Sequence, residues 1–148
     1  MKLSKKSRYG ITALIDLSVN SKNGHVALSS IAERNNISPQ YLEQVFAALR
    51  RAGIIKSIKG AQGGYLLNDD PKNITVASIL EALDGTYRIE DEEISENSDS
   101  PGIAITIQNI VINKINEKLD EILENLTLAD LESNYLEYND YNQHMYYI

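Results

Sequence analysis

The side chains best placed for chemistry lie between residues 38 and 60. After Ser38-Pro39, the residues Gln40, Gln44, Ala47 and Arg51 recur on one side of a helix, and Leu42, Val45, Phe46 and Leu49 recur on the other. Amides near the start of a helix and cations near its end are groups that read DNA: Gln bonds an adenine edge at two points, and Arg or Lys bonds guanine or phosphate. Ser38, Gln40, Tyr41, Glu43 and Gln44 are therefore candidate base readers, and Arg50 and Arg51 candidate phosphate contacts. A solvated helix face would use similar residues, so the next segment decides. Lys56 and Lys59 lead into Gly60-Ala61-Gln62-Gly63-Gly64, a tip with almost no side-chain bulk that could enter a minor groove with one long cation. Glycines required only for a tight turn are the plainer alternative, and both roles are compatible. As a nucleotide loop the same glycines fail, because neither Gly-Lys-Ser/Thr nor a helix follows them.

Other chemistries find few residues. The 148-residue chain has no cysteine and two histidines, which excludes disulfides, thiolate ligation of iron or zinc, and thiol redox sensing. Ser, His and Asp show no nucleophile pattern. The acidic run Glu90-Asp91-Glu92-Glu93 lacks EF-hand spacing and a turn glycine. No enzyme, metal or cofactor is expected. No run of about eighteen uncharged apolar residues spans a membrane, and the basic start leads into a charged helix rather than a signal sequence; a cytoplasmic protein is expected. The net charge of −7 conceals an asymmetry: residues 1–64 hold ten Lys and Arg against three acids, a balance of +7, and residues 65–148 hold four against eighteen, a balance of −14. One end is suited to a polyanion and the other is not.

The elements that must position these residues follow from periodicity. A first helix capped by Ser4 or Ser7 ends at Asn23-Gly24; Ser29 caps a short second helix; Ser38-Pro39 opens the third, which Gly53 stops. Residues 54–59 and 65–67 form a hairpin, and a fourth helix covers about 76–83. The expected fold is mainly α with a β-hairpin: a winged helix-turn-helix domain over residues 1–85, then an acidic loop over 86–100. A long dimerisation helix and a short final helix ending near Leu131 occupy 101–134, and a Tyr-rich tail occupies 135–148. Ile103, Ile107, Ile110, Val111, Ile115, Leu119 and Ile122 recur every three or four residues, a seam too long and apolar for one small domain to bury. It predicts a homodimer whose two recognition helices lie about one turn of double-stranded DNA apart; packing on the chain's own first domain is the competing outcome.

Several motifs in register carry a resemblance: Arg8-Tyr9-Gly10, Ile31-Ala32-Glu33-Arg34, Ser38-Pro39-Gln40-Tyr41-Leu42-Glu43-Gln44, Leu49-Arg50 with Ala52-Gly53, and Ser57-Ile58-Lys59-Gly60 with Gly63-Gly64-Tyr65. Over about residues 1–85 the chain resembles the IscR/CymR/NsrR family of dimeric winged-helix repressors, the Rrf-two family, a resemblance that implies binding to a palindromic operator in double-stranded DNA. The resemblance implies that Gln40, Glu43 and Gln44 read bases and that Lys59 with Gly60 touches the minor groove; Arg8 and Tyr9 join the candidate DNA contacts. Iron–sulfur members place three cysteines in the loop that here is Glu90–Ser100, so this chain departs completely and a cluster is excluded.

The last fourteen residues hold five of the nine tyrosines and end Tyr146-Tyr147-Ile148. A captured peptide end binds through its carboxylate and one apolar anchor. The tail resembles that of cluster-free cysteine-metabolism repressors, which implies a protein effector, O-acetylserine thiol-lyase (cysteine synthase), with Ile148 expected in its active site. Packing of the tail on its own dimer is the alternative. The expected function is a sequence-specific repressor of cysteine or sulfur genes. The alternatives are the same fold answering a small-molecule effector, and an adaptor that does not bind DNA.

Overall fold

A computed structural model describes residues 2–95 and 99–146. Helix α1 (Lys5–Asn20) begins where the Ser4 hydroxyl accepts the Ser7 N–H, satisfying one of the amides that a helix start leaves free. Helix α2 (Leu28–Asn35) is capped at Ala27 and begins two residues earlier than a Ser29 cap would allow, so Ser29 lies inside it. A sheet contact is responsible: Val26 and Tyr65 exchange backbone hydrogen bonds of 3.0 and 2.8 Å, which fixes the chain direction just before the helix. Asn36, with φ 53°, ends α2; its short polar side chain tolerates the left-handed region.

Helix α3 (Pro39–Arg51) starts as its sequence dictates, with the Ser38 hydroxyl accepting the Tyr41 N–H at 3.1 Å and Pro39 in the first turn. Leu42, Val45, Phe46 and Leu49 are wholly buried. Strand β1 (Ile55–Ile58) pairs antiparallel with β2 (Gly64–Leu67), Ile55 opposite Leu67 and Ile58 opposite Gly64. An added Cβ would lie 2.6 Å from the Val26 carbonyl oxygen at Gly64 and 2.5 Å from the Ile58 carbonyl oxygen at Gly63. Both obstacles are backbone, so chain packing alone demands these two glycines. Helix α4 (Val76–Asp84) is capped by Thr75, whose hydroxyl accepts the Ser78 N–H.

The core joins Leu14 and Leu17 of α1, Ile31 of α2, the buried stripe of α3, Ile55 of β1 and Ile79 of α4. It also takes Leu128, from the far end of the chain, which is completely buried. Helix α5 (Pro101–Thr106), a π-helical segment (Ile107–Ile112) and α6 (Asn113–Asn125) run on without a break, which is the long helix expected from Pro101 to Asn125. After it the chain returns to the head: the Val76 N–H donates to Leu126 O and the Leu128 N–H to Ile74 O, each at 2.8 Å.

Helix α7 (Leu128–Tyr146) corrects the expectation of a short final helix and a separate tail. It does not stop near Leu131, because no Gly or Pro interrupts the sequence after Leu128. A buried carboxylate anchors it: Glu132 accepts the Ser18 hydroxyl and pairs with Lys22 at 2.7 Å. Burial alone would raise the Glu132 pKa, but Lys22 and Ser18 outweigh it and hold the carboxyl below its ordinary value.

The segment after α4 lies along α6 as a strap. The Asn116 side chain accepts the Ile89 N–H at 2.8 Å and donates to the Ile89 carbonyl at 2.9 Å, as a neighbouring strand would. Gln108 accepts the Glu92 N–H, and the Tyr87 hydroxyl donates to Asp120, both at 2.7 Å. Burial and the nearby Asp120 carboxylate push the Tyr87 hydroxyl up to about 12. At the other end of the strap Asp84 accepts the hydroxyls of Ser4 and Ser7, so α4 is tied to the start of α1.

Candidate nucleic-acid interface

Because α3 buries one stripe, its opposite side is left to solvent. Ser38, Gln40, Glu43, Gln44, Arg50 and Arg51 are all exposed. The Ser38 hydroxyl oxygen is occupied as the cap acceptor, which leaves its O–H to donate. Tyr41 differs from these. It is half-buried, packs against the core, and meets the Tyr9 ring edge to face at 5.6 Å. The pair ties the N-terminal half of α1 to the first turn of α3, so Tyr9 and Tyr41 serve the fold whatever else they touch. Arg8, the neighbour of Tyr9, is exposed.

The hairpin projects as a wing with Lys56, Lys59 and Gly60 exposed. Its tip is held from beneath, where the His25 Nε2–H donates to the Gln62 carbonyl at 2.6 Å. Gly60 takes φ +128°, a conformation that L side chains rarely adopt, so the residue after Lys59 must be small and the path around the cation stays open.

The ion pairs sort the charges. Among the described residues, the paired cations are Lys22, Arg34, Arg88 and Lys118. Arg34 meets Asp16 at 2.6 Å, and that hydrogen-bonded carboxylate raises its pKa. Lys56, Lys59, Arg8, Arg50 and Arg51 are in none of these pairs. The cations of α3 and the wing therefore keep their charge for an external anion.

The apolar seam is divided by the fold. Ile103, Ile107, Ile110, Val111 and Ile122 are exposed, Ile110 at 56% and Ile122 at 59%, while Ile115 and Leu119 are half-buried. The residues buried along this helix are instead Ile112 and Asn116, Asn116 beneath the strap at Ile89, two residues the spacing argument did not select. Asn116 escaped it because a polar residue carries no periodicity signal; its only trace was its position four residues after Ile112. Ile110, Val111, Ile115, Leu119 and Ile122 line an open apolar groove edged by Lys114 and Lys118. Tyr147 and Ile148 lie outside the described residues; Tyr146 closes α7.

Helix, turn, helix and hairpin wing, with an outward row of amides and unpaired cations, define a winged-helix DNA-binding protein. Residues 3–134 match the family described as "Rrf2: Iron-dependent Transcriptional regulator". The chain belongs to the Rrf2 family and is a DNA-binding transcriptional regulator, not an enzyme. It is 39% identical, over the whole of both chains, to the HTH-type transcriptional regulator CymR of Bacillus subtilis. It is 35% identical to the regulator IscR of Klebsiella pneumoniae over 90% of this chain and 81% of that one. The solved structure of CymR, described as the global cysteine regulator of B. subtilis, superposes with a TM-score of 0.74 at 38% identity, covering 90% of this chain and 98% of that one.

The iron in the family description does not fit these residues. The sequence holds no cysteine, and among the described residues no three His, Asp or Glu are grouped to hold a metal. Within the described part of the loop over residues 90–100, the Glu92 N–H is held by the Gln108 side-chain oxygen. No helix among the described residues is long and apolar enough to cross a membrane.

Proposed function

We propose that this protein is a cytoplasmic, homodimeric, cluster-free repressor of cysteine or sulfur genes that reads a two-half-site operator through α3 and the wing. The observation that carries the reading is the outward face of α3, where Gln40, Glu43 and Gln44 stand exposed ahead of Arg50 and Arg51. In this reading Ser38, Gln40, Tyr41, Glu43 and Gln44 contact bases, Arg8, Tyr9, Arg50, Arg51 and Lys56 contact the backbone, and Lys59 with Gly60 enters the minor groove. The exposed isoleucines of the long helix support dimerisation, since isolated domains seldom leave such a stripe uncovered. A helix of about 25 residues spans roughly 37 Å, comparable to one DNA turn between half-sites. Full-length similarity to a protein described as a global cysteine regulator supports the gene class.

The effector in this proposal is cysteine synthase, engaged by Tyr146, Tyr147 and Ile148. Selection of bound duplexes from random sequence, with and without that enzyme, tests the whole reading. A palindrome is expected, together with a change in binding when the enzyme is added. A single half-site contradicts the dimer, and indifference to the enzyme contradicts the effector. A repressor of this fold answering a small molecule would give the palindrome without the response.

A further inference from the structure

Lys5 counts in the sequence only as one of ten cations of the first 64 residues; the structure gives it a particular seat. Its ammonium lies 5.6 Å from the centroid of the Tyr9 ring and 5.8 Å from that of Tyr41, within the range at which an aromatic face attracts a cation. One ring belongs to α1 and the other to the first turn of α3, and they meet edge to face. The cation therefore stands over the joint between the two helices, beside the end of α3 that carries Ser38, Gln40 and Gln44. Lys5 is exposed, and among the described residues no carboxylate pairs with it.

We propose that Lys5, seated on Tyr9 and Tyr41, forms an anion subsite for a backbone phosphate of the DNA that α3 reads. The inference rests on the DNA-reading assignment of α3 and adds a contact to it. Two rings already restrain the flexible stem, so less side-chain freedom remains to be lost when the ammonium meets a diester. A phosphate fixed there sets the register of Gln40 and Gln44 against the base edges while carrying no sequence information itself. The Tyr9–Tyr41 pair thereby links the fold to recognition: the contact that joins the helices also places the cation.

The test uses the full-length protein and two duplexes of equal length, one selected by the wild-type protein from random sequence and one scrambled. Affinity is measured between about 50 and 200 mM salt. Lys5→Gln is expected to flatten the log affinity against log salt line by about one unit for each bound protomer, a loss of about three- to fourfold in salt sensitivity per protomer over that range. The change should be equal on both duplexes, and Lys5→Arg should keep the wild-type slope. An undiminished slope for Lys5→Gln, with wild-type binding intact, overturns the subsite. So does a variant that alters preference between the duplexes at constant slope, because that would place Lys5 among the base readers. Wild-type protein that binds neither duplex overturns instead the reading of α3 on which the inference rests.

Discussion

Gln44 and Val45 are neighbours in the chain with opposite surroundings: one is exposed and the other wholly buried. The 100° step of the helix makes that difference, and it makes Gln44 available to a base edge. Gln44→Ala should cost about 1–3 kcal/mol at one base pair and relax preference there alone; competition binding against single-base variants of the selected duplex measures it, and an unchanged preference would remove Gln44 from the readers. Asn116 shows what a buried polar residue does at the same scale. It is 4% exposed and satisfies both backbone groups of Ile89. Asn116→Ala leaves that donor and acceptor without their partner and should destabilise the protein by about 1–3 kcal/mol, seen as a lower urea midpoint and faster exchange of the Ile89 amide.

Among the elements, α7 departs most from local expectation. Its start is held by Leu128 in the core and by Glu132 against Ser18 and Lys22, the last two more than a hundred residues away from Glu132 in sequence. Glu132 also gives the docking a pH signature. Its folded pKa lies below the ordinary 4.5, so its contribution to stability is fully present above the unfolded value and fades as pH falls through the folded one. Glu132→Gln should therefore lower the urea midpoint at neutral pH and show a shallower decline below about pH 4.5; parallel acid limbs in variant and wild type would contradict this role. The π-helical segment of the long helix, where the Asn113 N–H bonds the Gln108 carbonyl five residues back, was not visible in the sequence, because its pattern of isoleucines fits an uninterrupted α-helix equally well.

For the whole molecule the question is how residues 1–64, of net charge +7, are held against DNA while residues 65–148, at −14, are kept away. Pairing two heads through the exposed isoleucines would double the phosphate contacts and fix the half-site spacing. Ile110→Asp combined with Ile122→Asp should yield monomers in sedimentation velocity, with each domain still folded because both residues are exposed. Operator affinity should then fall by at least about a hundredfold, since the second half-site is no longer an intramolecular encounter. A variant that remains dimeric would move the interface elsewhere.

Helix α3 was legible from residues alone: a capping serine, a proline in the first turn and a four-residue apolar stripe are local signals, and local signals suffice where one element's own periodicity decides which side faces water. Composition likewise settled the missing thiolates. The tertiary structure decided the rest. Gly63 and Gly64 are required by backbone oxygens of Ile58 and Val26 rather than by a turn alone, α2 starts early because Val26 joins the wing, and residues 126–128 return to pair with 74–76. Each of these depends on chain segments brought together across long sequence separations, where no periodic pattern within either segment records the identity of its partner.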